Sequence, residues 1–361
     1  MVLCIMLKNE LYVEDLKKVN MSDLNWNNVE GSNILVTGGT GLIGSCLVDV
    51  LIYRNEYLKA HIGIWVLCRS KERAEDIFGE YLEKPYLHMV YQDVSSPIEI
   101  EEDMDYIVHA ASKGDPKSFV SDPLGVMNAN ILGIYQLLKY TEKQKLKKFV
   151  YISSGEVYGQ LQNIEEITET MMGTLDTMNV RNCYGVSKRA AETMCVSAYA
   201  QFGIPIVVGR LCHTYGPTMM KDENRVVFQF IQNAIDGNDI VLKSAGMQRR
   251  SYCYVSDAVK GILTLLMKGS PGQAYNIANK ESVISIRELA ECIAGMSGRC
   301  VIMSEQNETE KIGNSGIMHA VLSNKKLCEL GISFDYNIVE GIERTITILG
   351  KTYERDRNRN L

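Results

Sequence analysis

The chain predicts an α/β protein, a doubly wound parallel sheet with a smaller C-terminal α/β domain. Three observations carry this. Short apolar, β-branched runs alternate with helix-length amphipathic runs from about residue 34 to residue 211. The first run, Ile34-Leu35-Val36-Thr37, enters a glycine-rich turn, Gly38 to Gly44, and an amphipathic run follows to about Tyr53. Beyond Cys212 the alternation loosens. The expected organisation is an N-terminal extension (1–30), a first domain (31–211) and a second domain (212–361) partly interleaved with it.

In order, the extension contains a charged, helical piece around Val13–Val19. After the first strand and helix, Ile62–Cys68 reads as a second buried strand, and Arg69-Ser70-Lys71-Glu72-Arg73 opens the next helix. Tyr86–Tyr91 is a third strand, leading to Asp93 and Val94. Asp105–His109 is a fourth, running into Ala110-Ala111-Ser112. A helix spans Pro123–Thr141, a fifth strand Phe149–Ile152, a long helix Cys183–Phe202 and a sixth strand Ile206–Gly209. Later helical runs are Val226–Asp236, Asp257–Met267, Ile286–Met296 and Ile338–Leu349, with short strands near 240–242 and 274–277. The charged end, 354–359, reads as a frayed tail. Sheets of this class bind ligands at the carboxyl ends of their strands, where the motifs below lie.

Net charge is −6 and the pI about 5.6, which gives no footprint for nucleic acid and no polybasic membrane surface. No run reaches transmembrane length. None of the ten cysteines forms a C-x-x-C pair, and the five histidines show no ligand spacing. Reduced thiols in a cytoplasmic protein, with no metal, are expected.

Gly39, Gly41 and Gly44 fit the dinucleotide fingerprint, and Gly38, Gly41 and Gly44 its three-residue-spaced variant. Such a turn needs positive φ, close approach of a pyrophosphate and tight helix–strand packing. Leu42 and Ile43 begin the helix whose free N–H groups would face the phosphates. NAD or NADP is therefore expected. An acid at the end of the second strand would select NAD; Arg69 stands there, with Lys71 and Arg73 nearby, which suits a 2′-phosphate.

Two further motifs carry chemistry. Tyr184 and Lys188, four apart on one helix face, pair a phenol with an ammonium that would lower its pKa. Ser154 and Glu156, after the fifth strand, place a hydroxyl and a carboxylate at a strand's carboxyl end.

Together with Ser153-Ser154-Gly155-Glu156-Val157-Tyr158-Gly159 and Arg210-Leu211-Cys212-His213-Thr214-Tyr215-Gly216-Pro217, these motifs resemble the extended short-chain dehydrogenase/reductase family of nucleotide-sugar epimerases, dehydratases and decarboxylases, with a Rossmann fold. Arg181-Asn182-Cys183-Tyr184, Asn224-Arg225-Val226-Val227 and Gln248-Arg249-Arg250-Ser251-Tyr252 resemble its UDP-glucuronate decarboxylase-like branch. The resemblance implies cofactor contacts at Asp93, Val94, Ala110, Ala111, Tyr184 and Lys188. It implies substrate contacts at Ser112, Arg181, His213, Arg225, Val226 and Arg250, and a homodimer formed by the helices 123–141 and 183–202. His213 replaces the family's usual Asn and reads equally as a packed histidine. Gly155 stands where family dehydratases often have an acid. The stretch 316–322 lacks the arginine with which decarboxylases grip a carboxylate.

The implied reaction is transient oxidation at sugar C4, with Tyr184 as base, Ser154 holding the oxygen and Glu156 exchanging the C5 proton. Epimerisation or dehydration leads, and decarboxylation follows it. An NADPH-linked reductase, favoured by Arg69, and a non-catalytic nucleotide-binding module are the alternatives.

Overall fold

Strands covered by helices on both faces must be apolar throughout, and the central strands here are buried along nearly their whole length. The computed structural model describes residues 3–220, 223–306 and 316–359. The strands are β1 (Asn33–Thr37), β2 (Gly63–Cys68), β3 (Leu87–Tyr91), β4 (Tyr106–His109), β5 (Lys148–Ser154), β6 (Ile206–Leu211), β7 (His213–Tyr215), β8 (Ile240–Leu242), β9 (Arg249–Tyr254), β10 (Ala274–Ile277), β11 (Val283–Ser285), β12 (Val301–Met303) and β13 (His319–Ala320). The principal helices are α1 (Glu10–Met21), α2 (Leu42–Leu58), α3 (Lys71–Phe78), α4 (Pro116–Ser121), α5 (Pro123–Thr141), α6 (Cys183–Phe202), α7 (Val226–Asp236), α8 (Val255–Lys268) and α9 (Ile286–Ser297).

Seven strands form one sheet in the order β10-β6-β5-β4-β1-β2-β3, with every pairing parallel. The chain winds outward from β1 in one direction and from β4 in the other. The crevice at their carboxyl ends is thus the topological switch point. Two smaller sheets, β11-β9-β13 with β7 beside β9, and β12-β8, lie in the second half of the chain. Strand β10 is contributed to the main sheet from that second half.

Helix α1 ties the two halves together. Its buried Asp15 accepts hydrogen bonds from Tyr254 (2.7 Å) and Tyr336 (2.6 Å), while Tyr12 donates to Asp49 of α2 at 2.7 Å. One expectation fails. The C-terminal helix runs Ile338–Arg359, so residues 354–359 continue a helical backbone instead of ending in a frayed tail.

Candidate active site

The turn after β1 is shaped for a close approach. Gly38 has φ +69°, and a Cβ there would lie 2.7 Å from the backbone of Ala111 beyond β4. A Cβ on Gly44 would lie 2.2 Å from the Gly38 carbonyl oxygen. Gly41 caps α2 without a side-chain hydrogen bond, and the first turn of α2 carries no acid. The leading N–H groups of α2, from Leu42 onward through Ile43, therefore point at the crevice with the positive end of the helix dipole. This cradle fits a pyrophosphate, and so a dinucleotide.

The crevice opens into a cleft of about 1140 Å³, larger than the ~300–1,000 Å³ of an ordinary small-molecule pocket. It is lined by most of the residues the sequence singles out. Gly38, Gly41, Leu42, Ile43, Gly44, Ala110, Ser112, Ser154, Glu156, Arg181, Tyr184, Lys188, His213, Arg225, Val226 and Arg250 all face it.

The β2 end differs from expectation in detail. Arg69 is largely exposed, with its guanidinium 3.9 Å from Asp93. The Ser95 hydroxyl, and more weakly its N–H and Arg69, hold the Asp93 carboxyl below its usual range against a partial burial. Val94 is buried beneath α5, facing Gly133. It is Arg73, in the first turn of α3, that lines the cleft.

At the centre, Tyr184 is buried in the first turn of α6 and stacks on Phe119 with 4.7 Å between ring centres. Burial pushes its phenol pKa up; the Ser154 hydroxyl, Arg225 and Ser112 oppose that, and Glu156 adds to it. Lys188 is 3% exposed and donates to the Ile152 carbonyl at 2.7 Å. Burial lowers its pKa to about 7, against the pull of Glu192. The expected depression of the phenol pKa by an ammonium is therefore absent, because burial dominates both groups.

Ser154 starts the 3-10 turn Gly155–Tyr158, its hydroxyl accepting from the Glu156 N–H at 3.2 Å. Arg181 lines the cleft and is paired there. It grips Glu156 with both terminal nitrogens, at 2.6 and 2.9 Å. Behind this turn, Arg210 pairs with Glu192 at 2.7 Å and donates to Tyr158, whose hydroxyl donates to Asn276 at 2.6 Å.

The far end is assembled from the second half. Arg225 caps α7 and pairs with Glu223 at 2.8 Å, and Val226 beside it is exposed. Strand β9 brings Arg250, which donates to the carbonyls of Arg249 and Ile317. His213 on β7 lies across from Tyr252. Its side chain is exposed where it lines the cleft, and the surrounding protein atoms, with Arg250, Arg225 and Arg181 near, depress its pKa to about 3. It is a neutral imidazole at ordinary pH. Tyr252, Gln248 and Leu322 also line the cleft. Gln248 and Tyr252 fall in a segment already singled out from the sequence, whereas Leu322 gives little sequence signal, since it follows the two-residue strand β13. The described cysteines are all free, and no described His/Cys/Asp/Glu cluster is arranged to hold a metal.

The model of the NAD dependent epimerase/dehydratase family matches residues 34–278. The chain belongs to this family. Among curated proteins it is 35% identical over 260 residues to UDP-glucuronic acid decarboxylase 6 of Arabidopsis thaliana, covering 72% of this chain and 73% of that protein. It is 29% identical over 327 residues to UDP-glucuronic acid decarboxylase 1 of Xenopus tropicalis, covering 90% and 74%. Among solved structures, an epimerase of Methanothermobacter thermautotrophicus shares the fold with TM-score 0.78 at 21% identity, over 92% of this chain and 96% of that one. The NAD complex of Bacillus anthracis dTDP-glucose 4,6-dehydratase aligns with TM-score 0.74 at 22% identity, over 91% and 98%. As a member of the NAD dependent epimerase/dehydratase family, the chain is an NAD(P)-dependent enzyme of the nucleotide-sugar epimerase and dehydratase type. No described helix is long and apolar enough to cross a membrane.

Proposed function

We propose that this cleft oxidises a nucleotide-diphosphate sugar transiently at C4 and releases a 4-epimer, a 5-epimer or a 4,6-dehydrated product. One observation carries the reading: Ser154, Glu156 and Tyr184 converge between the glycine cradle and the arginines of the second half. The bound dinucleotide supplies a hydride acceptor that gives the hydride back. Tyr184 takes the proton of the 4-hydroxyl while Ser154 holds the oxygen. Lys188, fixed on Ile152, positions the cofactor ribose. Once C4 is a carbonyl the neighbouring C–H bonds are acidic, and Glu156, held in place by Arg181, accepts the C5 proton. Arg225 and Arg250 hold the diphosphate, as guanidinium forks do.

Residues 31–211 serve the cofactor and 212–361 mainly the sugar nucleotide. NAD and NADP both fit; Arg73 on the cleft wall and Arg69 beside it favour a 2′-phosphate. A homodimer would cover the exposed apolar residues of α5 and α6, among them Leu132, Tyr135, Val196 and Phe202. The free thiols suit a cytoplasmic enzyme.

Decarboxylation of UDP-glucuronate is the second reading, favoured by the 35% identity to a UDP-glucuronic acid decarboxylase. To separate the two, UDP-glucose and UDP-glucuronate are offered in deuterated water and product mass and C5 label followed. Retained mass or loss of water supports the first reading, and C5 deuterium that disappears in Glu156→Gln marks the 5-epimer or the dehydrated product, with Glu156 as its base. Rapid formation of a UDP-pentose overturns it in favour of the second.

A further inference from the structure

The groups of the proposed chemistry stand on two separate elements. Ser154 ends β5 and Glu156 sits in the 3-10 turn after it, whereas Tyr184 and Lys188 belong to α6. Successive proton transfers on one bound sugar need such groups held to within about 0.5 Å of their working positions. The sheet fixes two of the four. Ser154 lies opposite Leu211 in the β5–β6 ladder, and Lys188 ties α6 to β5 through the Ile152 carbonyl at 2.7 Å. Glu156 lies beyond the last rung of that ladder.

Arg189, the residue after Lys188, reaches over this turn. It donates to the Val157 carbonyl, to the Tyr158 carbonyl at 3.2 Å and to the Gly173 carbonyl at 2.8 Å. Gly173 in turn donates its N–H to the Tyr158 carbonyl at 2.8 Å, and Gln160 and Thr174 form an antiparallel bridge beside it. One guanidinium thus joins α6, the turn and the segment at 173–174. The fit is close: a Cβ on Gly185 of α6 would lie 3.0 Å from the Glu156 carbonyl oxygen. Arg189 is not among the residues that line the cleft, so its effect on chemistry there passes through the turn. A lysine keeps the charge but lacks the planar fork that spans separate carbonyls.

We propose that Arg189 is a positioning residue for Glu156: its guanidinium clamps the turn 155–158 onto α6 and so sets the reach of the Glu156 carboxylate relative to the Tyr184 phenol. This rests on the reading that Tyr184 takes the proton of the 4-hydroxyl and Glu156 the C5 proton.

Arg189→Met and Arg189→Lys test it in the full-length, cofactor-loaded protein, with UDP-glucose, dTDP-glucose and UDP-glucuronate offered in deuterated water. Two steps are read apart: reduction of the bound nicotinamide in a single turnover, which depends on Tyr184, and deuterium uptake at C5, which depends on Glu156. Arg189→Met is expected to slow C5 uptake at least about tenfold, toward the ~10²-fold that a misplacement of about 1 Å can cost, with nicotinamide reduction within about threefold of the parent. Arg189→Lys is expected to recover part of the C5 uptake. Equal loss of both steps, or loss of neither, in an Arg189→Met protein that melts cooperatively overturns the proposal. If neither arginine variant folds, Gly185→Ala decides, since its methyl presses on the Glu156 carbonyl and shifts the same turn; unchanged C5 uptake there overturns the proposal. A parent protein that reduces its nicotinamide without C5 uptake, or that reacts with none of the three sugars, is a separate result, which defeats the underlying reading.

Discussion

The two ends of the cleft are built in different ways. The cofactor end is one unbroken stretch, residues 34–44, whose function lies in its backbone: a positive φ at Gly38, a missing Cβ at Gly44 and uncapped N–H groups at the start of α2. The other end, which we propose holds the sugar nucleotide, is gathered from β7, α7, β9 and the segment around β13, and what it offers a ligand is side chains. A backbone site tolerates almost no substitution. A side-chain site can change its ligand while the fold persists. Members of one family can therefore share the first end and differ at the second.

Predictions at each end sharpen that contrast. The largest effect belongs to the backbone end. Gly44→Val would drive its side chain into the Gly38 carbonyl; fluorescence titration should show dinucleotide binding lost. Between the two ends, Tyr184→Phe should lower kcat by about 10²–10⁴ while leaving cofactor and UDP affinity intact, as single-turnover kinetics and calorimetry would show. On the side-chain side, Arg181→Met strands Glu156 in a largely enclosed site. Urea unfolding should register a loss of about 3 kcal/mol, the low end for a broken buried pair because Glu156 keeps some solvent.

A further effect is in pH dependence. Lys188 titrates near 7 in the folded protein and at about 10.4 when unfolded. Between those values the unfolded chain binds more protons, so this group makes stability rise with pH from about 7 to 10. Lys188→Met should flatten that rise relative to the parent in urea unfolding at stepped pH. The smallest effect is at His213. Already neutral, it should contribute no limb to the pH–rate profile between pH 5 and 8, and His213→Asn should leave the profile's shape unchanged.

The same contrast explains what the sequence discloses. Helices α5, α6 and α7 have the bounds predicted, since proline, glycine and apolar spacing mark them locally. The glycine cradle is legible because its residues are neighbours. The grip of Arg181 on Glu156 is not, because the partners lie 25 residues apart and nothing in either motif requires the other. The reversal at Tyr184 and Lys188 has another origin. Spacing shows that two groups share a face, but burial, which decides their charge, comes from the whole sheet.

The central claim is a closed redox cycle at sugar C4, and a nucleotide hexose deuterated at C4 tests it most directly. The label should slow turnover by a primary isotope effect, remain in the product, and leave the nicotinamide absorbance unchanged at the end of the reaction. Loss of the label from the sugar together with a stoichiometric change in that absorbance would contradict the account and assign the protein to net oxidation or reduction.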